Sequence, residues 1–258
     1  YMNRIFAVLA VLMPFLASGQ SEKVVFGVKA GLNYNNIIVK GANLDIPLGQ
    51  FNPALEGKEV KGTGGFNFDP LTSWYAGVTV DVPVKKWFHV QAELLYTVNA
   101  GKGAMAATLE DNPYIPGFPT SISRPEKLKL SYLQVPVLAK FYPVRNLPLM
   151  VGPYVGFGVS FRGKATEIPG AVEKNIHYMY KTMDFGFVGG AAYEFGFGLF
   201  VEARYVFGAM KTLRKHSTLR EVEVPAGDGQ YMKVDIKAYT ADITGQNNSF
   251  QCGVGYRF

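Results

Sequence analysis

The stretch Val24-Val25-Phe26-Gly27-Val28-Lys29-Ala30-Gly31-Leu32-Asn33-Tyr34-Asn35 alternates without a break. Val24, Phe26, Val28, Ala30, Leu32 and Tyr34 make an apolar face, and Val25, Gly27, Lys29, Gly31, Asn33 and Asn35 make a mainly small or polar one. A period of two puts successive side chains on opposite sides of a strand, so this reads as a strand whose faces meet different surroundings. The pattern recurs. Trp74, Ala76, Val78, Val80 and Val82 oppose Tyr75, Gly77, Thr79 and Asp81, and Phe88, Val90, Ala92, Leu94 and Tyr96 oppose His89, Gln91 and Glu93. Leu133, Val135, Val137, Ala139 and Phe141 oppose Tyr132, Gln134, Pro136, Leu138 and Lys140. Leu149, Val151, Val155, Phe157, Val159 and Phe161 oppose Gly152, Tyr154, Gly156, Gly158, Ser160 and Arg162. Three further segments, at 183–195, 199–207 and 248–258, complete eight.

The links between them alternate in length. Residues 83–86, 143–148 and 196–198 are short connections, whereas 36–73, 99–127, 163–182 and 208–247 are long. No Asp, Glu, Lys or Arg falls on the apolar face of any segment. Together these predict an all-β fold: an eight-stranded antiparallel up-and-down transmembrane β-barrel with long extracellular loops and short periplasmic turns. Eight strands enclose an interior just wide enough for side chains. The inward set should therefore form a plug of paired charges: Lys29, Lys140, Arg162, Arg204 and Arg257 against Asp81, Glu93, Asp184, Glu194 and Glu202. Aromatic girdles are expected at Tyr34, Trp74, Tyr96, Phe161, Phe185 and Phe207 on one rim, and at Phe88, Phe141, Tyr193, Tyr256 and Phe258 on the other.

Composition agrees. The 258 residues include 29 Gly, 19 Phe and 15 Tyr but only 18% charged residues, below the roughly 25% of soluble domains. Mean hydropathy is only +0.06, as a two-faced strand averages out. After the N-terminus no apolar run reaches the length of about 18 residues that a spanning helix needs. A single Cys excludes a disulfide framework and a multi-Cys metal cluster.

Met2-Asn3-Arg4, the apolar run 5–16 and Ala17-Ser18-Gly19 read as a cleaved signal peptide over 1–19, leaving a barrel domain at 20–258. Without Arg4 the chain carries 25 bases against 20 acids, or +5. That excess does not suggest nucleic acid as a partner.

The end of the chain, Phe250-Gln251-Cys252-Gly253-Val254-Gly255-Tyr256-Arg257-Phe258, resembles the C-terminal signal by which outer-membrane barrels engage their assembly machinery. Gln251, Gly253, Tyr256 and Phe258 stand at its polar, glycine and paired-aromatic positions. Phe26-Gly27-Val28-Lys29-Ala30-Gly31-Leu32-Asn33 and Tyr132-Leu133-Gln134-Val135-Pro136-Val137-Leu138 are similar to the PorT-like outer-membrane barrel family. The resemblance implies an eight-stranded barrel in the outer membrane of a Gram-negative bacterium, and it implies no single activity.

Chemistry is sparse. His89 and Glu93 share one side of the third segment, while His177 and His216 fall in long loops without ligand-spaced partners, so no metal or cofactor is expected. Ser131, Ser160 and Thr79 are candidate hydroxyls without a surrounding motif. Lys211, Arg214, Lys215 and Arg220 form a cluster that could contact glycolipid phosphate. Residues 221–237 suggest a hairpin beyond the membrane, and Phe51, Phe66, Phe68, Tyr114 and Phe118 in the first two loops are candidates for recognition. The expected function is a non-enzymatic outer-membrane barrel with a closed lumen, its termini periplasmic, its loops binding a partner protein or surface glycolipid. A small-solute pore and a lipid-modifying enzyme are the alternatives.

Overall fold

The computed structural model describes residues 23–50, 52–110, 121–165, 173–177, 180–210, 216–227, 230–239 and 246–258. The expected leader at 1–19, and Phe51, Tyr114 and Phe118, lie outside them. The described strands are β1 (Val25–Pro47), β2 (Glu59–Lys85), β3 (Phe88–Leu109), β4 (Ser121–Val144), β5 (Leu147–Ala165), β6 (Lys174–Asn175), β7 (Met183–Glu194), β8 (Leu199–Gly208), β9 (His216–Gly227), β10 (Gln230–Tyr239) and β11 (Gln246–Arg257). All pairings are antiparallel. β1, β2, β3, β4, β5, β7, β8 and β11 follow one another around a ring that β11 closes by pairing with β1 from Gly27↔Arg257 to Ile38↔Gln246. Closure leaves no open edge in the ring, which a sheet in hydrocarbon requires because lipid offers no hydrogen bonds.

Short turns join strands at one end. Asn146, in the β4–β5 turn, and Gly198, in the β7–β8 turn, take left-handed backbone conformations at φ 69° and 97°, which Asn and Gly adopt at least cost. At this end Phe258 donates its backbone N–H to Phe26, and Arg257 donates to Gly198.

The lower part of the ring turns its apolar residues outward. Phe26, Leu32, Trp74, Val78, Leu149, Val151, Val201, Phe250 and Val254 are exposed, while their neighbours along each strand are buried or half-buried. On β2 the exposed row from Trp74 to Val84 spans about 33 Å of strand, or about 25 Å of height at the usual tilt, the thickness of an outer-membrane apolar band. Trp74 packs 5.5 Å from Tyr96 at its upper rim, and Phe88 lies 5.1 Å from Phe141 at its lower rim, with Trp87 stacked on Phe141.

Above this band the structure departs from the expected long loops. β1 continues to Pro47, β2 begins at Glu59 and β3 continues to Leu109, so much of 36–73 and 99–127 is strand. β10 extends this wall by pairing with β1 at Asn43↔Tyr239 to Asp45↔Lys237, and β9 pairs with β10 as the expected hairpin. The wall reverses the polarity of its faces. Leu128, Leu130, Leu109, Val60, Ile46 and Leu48 are buried, whereas Lys127, Lys129, Thr108, Glu110, Lys61 and Glu59 are exposed. Water surrounds this part as lipid surrounds the band below, and the apolar side chains move inside accordingly.

Phe161 and Arg162 are corrections that follow from this reversal. Ser131 pairs with Ser160 and Tyr132 with Gly158, so Val159 is an extra residue on β5. Such a bulge shifts the alternation by one and exchanges the faces beyond it. Phe161 therefore turns inward and is 1% exposed, and Arg162, expected in the lumen, stands outside.

Candidate functional site

Inside the ring the ionic side chains assemble in two layers. Near the short turns, Lys140 Nζ donates to Asp81 Oδ2 at 2.7 Å and to Glu194 Oε1 at 2.8 Å. Arg257 donates to Glu194 Oε2 at 2.6 Å, Tyr142 adds its hydroxyl to the same carboxylate, and His89 Nδ1 lies 3.0 Å from Asp81 Oδ1. The second layer is deeper. Lys29 Nζ donates to Glu93 Oε1 at 2.7 Å and to Glu202 Oε1 at 2.9 Å, and Arg204 donates from NH1 to Glu93 Oε2 at 2.7 Å. The Tyr75 hydroxyl donates to Glu202, its ring lies 5.0 Å from the Arg204 guanidinium, and Gln91 donates to Glu93. The side chains of Lys29, Glu93, Glu202 and Arg204 are all at most 1% exposed. Two cations matched to two anions, each hydrogen-bonded, is the arrangement in which buried charge is tolerable.

A layer of amides and hydroxyls follows. Arg204 Nε donates to Gln251 Oε1 at 2.6 Å, Gln251 donates to Asn33, and Asn33 donates to Asn99 and to the Val98 carbonyl. Thr97 donates to Gln134. Above it sit aromatics: Phe161 packs against Tyr132 at 5.2 Å, His177 at 4.7 Å and Tyr180 at 5.4 Å. β6 makes this possible by pairing with the top of β5 at Arg162↔Asn175 and Gly163↔Lys174. His177, expected as a loop residue, is thus part of an aromatic cap.

Lys29, Asp81, Glu93, Lys140, Glu194, Glu202, Arg204 and Arg257 meet in the two layers. Asp184 is buried elsewhere, accepting from the Tyr154 hydroxyl at 3.0 Å and from the Phe185 N–H. With Arg162 outside, the ten residues expected in the plug leave four bases facing five acids. Of the expected assembly signal, Gln251 is buried in the network, and Gly253 leaves the space that the Tyr75 hydroxyl occupies. Tyr256 and Phe258 face outward with their rings 5.6 Å apart. Lys211, Arg214 and Lys215 lie outside the described residues, and Arg220 is placed only as a backbone position on β9. Phe66 and Phe68 are likewise placed only as positions on β2.

The candidate hydroxyls lie apart from His89. The acid partner of His89 is Asp81 on the neighbouring strand, not Glu93. Ser131 lies nine residues along β4 from Lys140, which faces His89, a separation of about 30 Å. Ser160 is beside Ser131, and Thr79 is four residues along β2 from Pro83, the position opposite His89, or about 13 Å. None can share a proton with this imidazole. Among the described residues no group of three or more His, Cys, Asp or Glu could hold a metal ion.

Residues 17–214 match the family model described as outer membrane protein beta-barrel domain. The chain belongs to that family. Solved outer-membrane proteins are similar to the chain only at low scores. Neisserial surface protein A is 10% identical, with 92% of this chain and 100% of that chain covered and a TM-score of 0.38. OprG from Pseudomonas aeruginosa is 10% identical, covering 91% and 95%, at 0.35. The outer membrane protease OmpT from Escherichia coli is 9% identical, covering 93% and 100%, at 0.34. At these scores no activity is carried over. No curated protein matches the chain.

Membership of this family places the barrel in the outer membrane. Its sequence concealed two groups that the structure brings forward. The aromatic cap depends on the one-residue bulge at Val159, which leaves no mark on the alternation. The outward cations Lys127 and Lys129 did leave one: Lys127-Leu128-Lys129-Leu130 alternates in phase with the strand below but with polarity reversed.

Proposed function

We propose that this is a non-enzymatic outer-membrane barrel whose lumen is closed, and whose long strands and loops face the cell exterior to recognise a partner protein or surface glycolipid. The observation that carries the reading is the burial of Lys29, Glu93, Glu202 and Arg204 side chains, which in a water-filled channel would be wet. Tyr75, Leu95 and Tyr132, also inward, have no exposure either. A pore for small solutes would have to open both ionic layers and the aromatic cap. The orientation rests on the short turns at one end, on the expected leader at 1–19, and on the start of β1 at Val25 and the end of β11 at Arg257 lying on the short-turn side, which we take as periplasmic. The PorT-like resemblance fits this reading without carrying a secretion role into it. Barrel assembly machinery would engage Gln251, Gly253, Tyr256 and Phe258 during biogenesis.

We assign recognition to the far end, where Asn43, Asp45, Lys61, Thr63, Thr108 and Glu110 of β1, β2 and β3 line an open cleft. Single-channel recording of the full chain in planar bilayers tests the closed lumen. The expected result is no steady conductance, and a steady ion-selective current would overturn the reading.

A further inference from the structure

The reversed wall carries its cations in register. Lys102 of β3 pairs with Lys127 of β4, and Lys127 pairs with Lys164 of β5, so three lysines form one row across three strands. Lys129 pairs with Arg162 in the row beneath. All five are exposed. Adjacent strands lie about 4.8 Å apart and alternate residues about 6.7 Å apart along one strand, so the five charges crowd a patch about 10 Å wide. The described acids on this face are Asp69, opposite Lys102, and Glu173, which lies 3.7 Å from Lys129 Nζ and 3.3 Å from Arg162 NH1. Five bases against two acids is an anion-seeking surface.

Its height matters as much as its sign. Lys129 is four residues above Leu133, which faces lipid on the same side of β4. Four residues are about 13 Å of strand, or about 10 Å of height at a tilt near 40°. Arg162 follows the exposed Val159 by three residues, one of them taken up in the bulge. Both backbone positions therefore stand just above the headgroup layer, which extends about 5–7.5 Å outside the hydrocarbon core on each side, and their long side chains can reach back into it. Lys102, Lys127 and Lys164 stand one row farther out, at the level of the sugars that a glycolipid would carry.

We propose that Lys129 and Arg162, supported by Lys102, Lys127 and Lys164, bind the phosphate groups of a phosphorylated glycolipid in the outer leaflet. Arg offers a planar fork of donors for phosphate oxygens, and Lys adds charge. Glu173 holds Lys129 and Arg162 together from one side while their remaining donors face the lipid. The site is distinct from the expected cluster at Lys211, Arg214, Lys215 and Arg220. It rests on the proposed orientation, with the long-strand end outward.

The test uses the full chain, with phosphatidylcholine vesicles doped with diphosphoryl lipid A, with its dephosphorylated form or with phosphatidylglycerol. Lys129→Gln with Arg162→Gln removes two charges from the patch, and Lys233→Gln with Lys237→Gln removes two from β10. Heat-modifiable gel mobility confirms that each variant is folded. The expected result is that the first pair weakens diphosphoryl lipid A binding at least about tenfold, near 1.4 kcal/mol, that the second pair leaves it unchanged, and that 10 mM inorganic phosphate does not displace the lipid. Undiminished binding by the first variant overturns the site, as does equal binding of the dephosphorylated lipid or of phosphatidylglycerol. Displacement by inorganic phosphate overturns it too, revealing a free-anion site. Whole-cell labelling of Thr63→Cys and Gly227→Cys reads the orientation separately, so a failed orientation and a failed site give different results.

Discussion

The barrel meets two solvents, and its lower and upper halves answer them in opposite ways. In the band from Trp74 to Val84 on β2, and from Leu133 to Phe141 on β4, apolar side chains face out and charges are enclosed. In the wall above, Leu128 and Leu130 are enclosed and Lys127 and Lys129 face out. The backbone is the same continuous antiparallel sheet in both. What changes is which face the hydrophobic effect rewards. On β4 the change needs no adjustment of the strand, because the sequence itself exchanges polarity between Leu133 and Ser131. On β5 a bulge at Val159 makes the same exchange and sends Phe161 in and Arg162 out.

The largest expected difference between the halves is in their cations. Replacing Arg204 by Leu leaves Glu93 and Glu202 enclosed with Lys29 as their shared cation, and should lower stability by about 3–5 kcal/mol. Lys129→Gln removes an exposed charge paired at 3.7 Å and should cost less than about 1 kcal/mol. Urea unfolding in lipid vesicles compares them, and equal losses would erase the distinction. Next comes the enclosed leucine of the wall: Leu130→Ala should cost about 2–5 kcal/mol, as in the core of a soluble protein, although it lies beyond the membrane. A loss under about 0.5 kcal/mol would mean that the wall has no apolar core there. A charge swap probes the outer surface. Val137→Lys, near the middle of the apolar row on β4, should cost about 2–4 kcal/mol in vesicles, whereas Lys129→Leu on the same face should stay within about 0.5 kcal/mol.

The smallest effect is a pH dependence. The hydrogen bond from Arg162, then the charge of Lys129, holds the Glu173 carboxyl below its ordinary range. A lowered carboxylate adds stability that is complete above its unfolded value and disappears as pH falls through the folded one. At this exposed position the contribution is small and screened by salt. Wild type and Glu173→Gln should therefore differ slightly at neutral pH and low salt, and converge in acid or in 1 M salt. A difference that grows in acid would reverse the sign and contradict the pairing.

The lower half was readable because a period-two pattern needs only the residues of one strand. Lys29, Asp81, Glu93, Lys140, Glu194, Glu202 and Arg204 were placed on the enclosed face by that pattern alone. Their partners were not readable, since pairing depends on register between strands distant in sequence. His89 shows the difficulty: Glu93 is four residues away on the same side, yet that is about 13 Å along a strand, whereas a diagonal neighbour across strands is about 7–8 Å away by Cα. Asp81 is such a neighbour. The upper half reads as loops in the sequence because the unbroken period-two pattern stops at 36–73 and 99–127. Its alternation is also interrupted by register shifts at Asn35/Ile38, Val39/Ala42 and Leu71/Tyr75, each of which moves the pattern between faces.

Site-directed labelling along β4 tests the reversal most directly. In a Cys252→Ala background, single cysteines at 127, 129, 133, 135 and 137 would be reacted with a membrane-impermeant maleimide, and fluorophores at the same positions quenched by brominated lipid. Reversal at the membrane boundary requires strong labelling and little quenching at 127 and 129, with shielding and strong quenching at 133, 135 and 137. Quenching at 127 and 129 as strong as at 135, or aqueous labelling at 135 and 137, would contradict it.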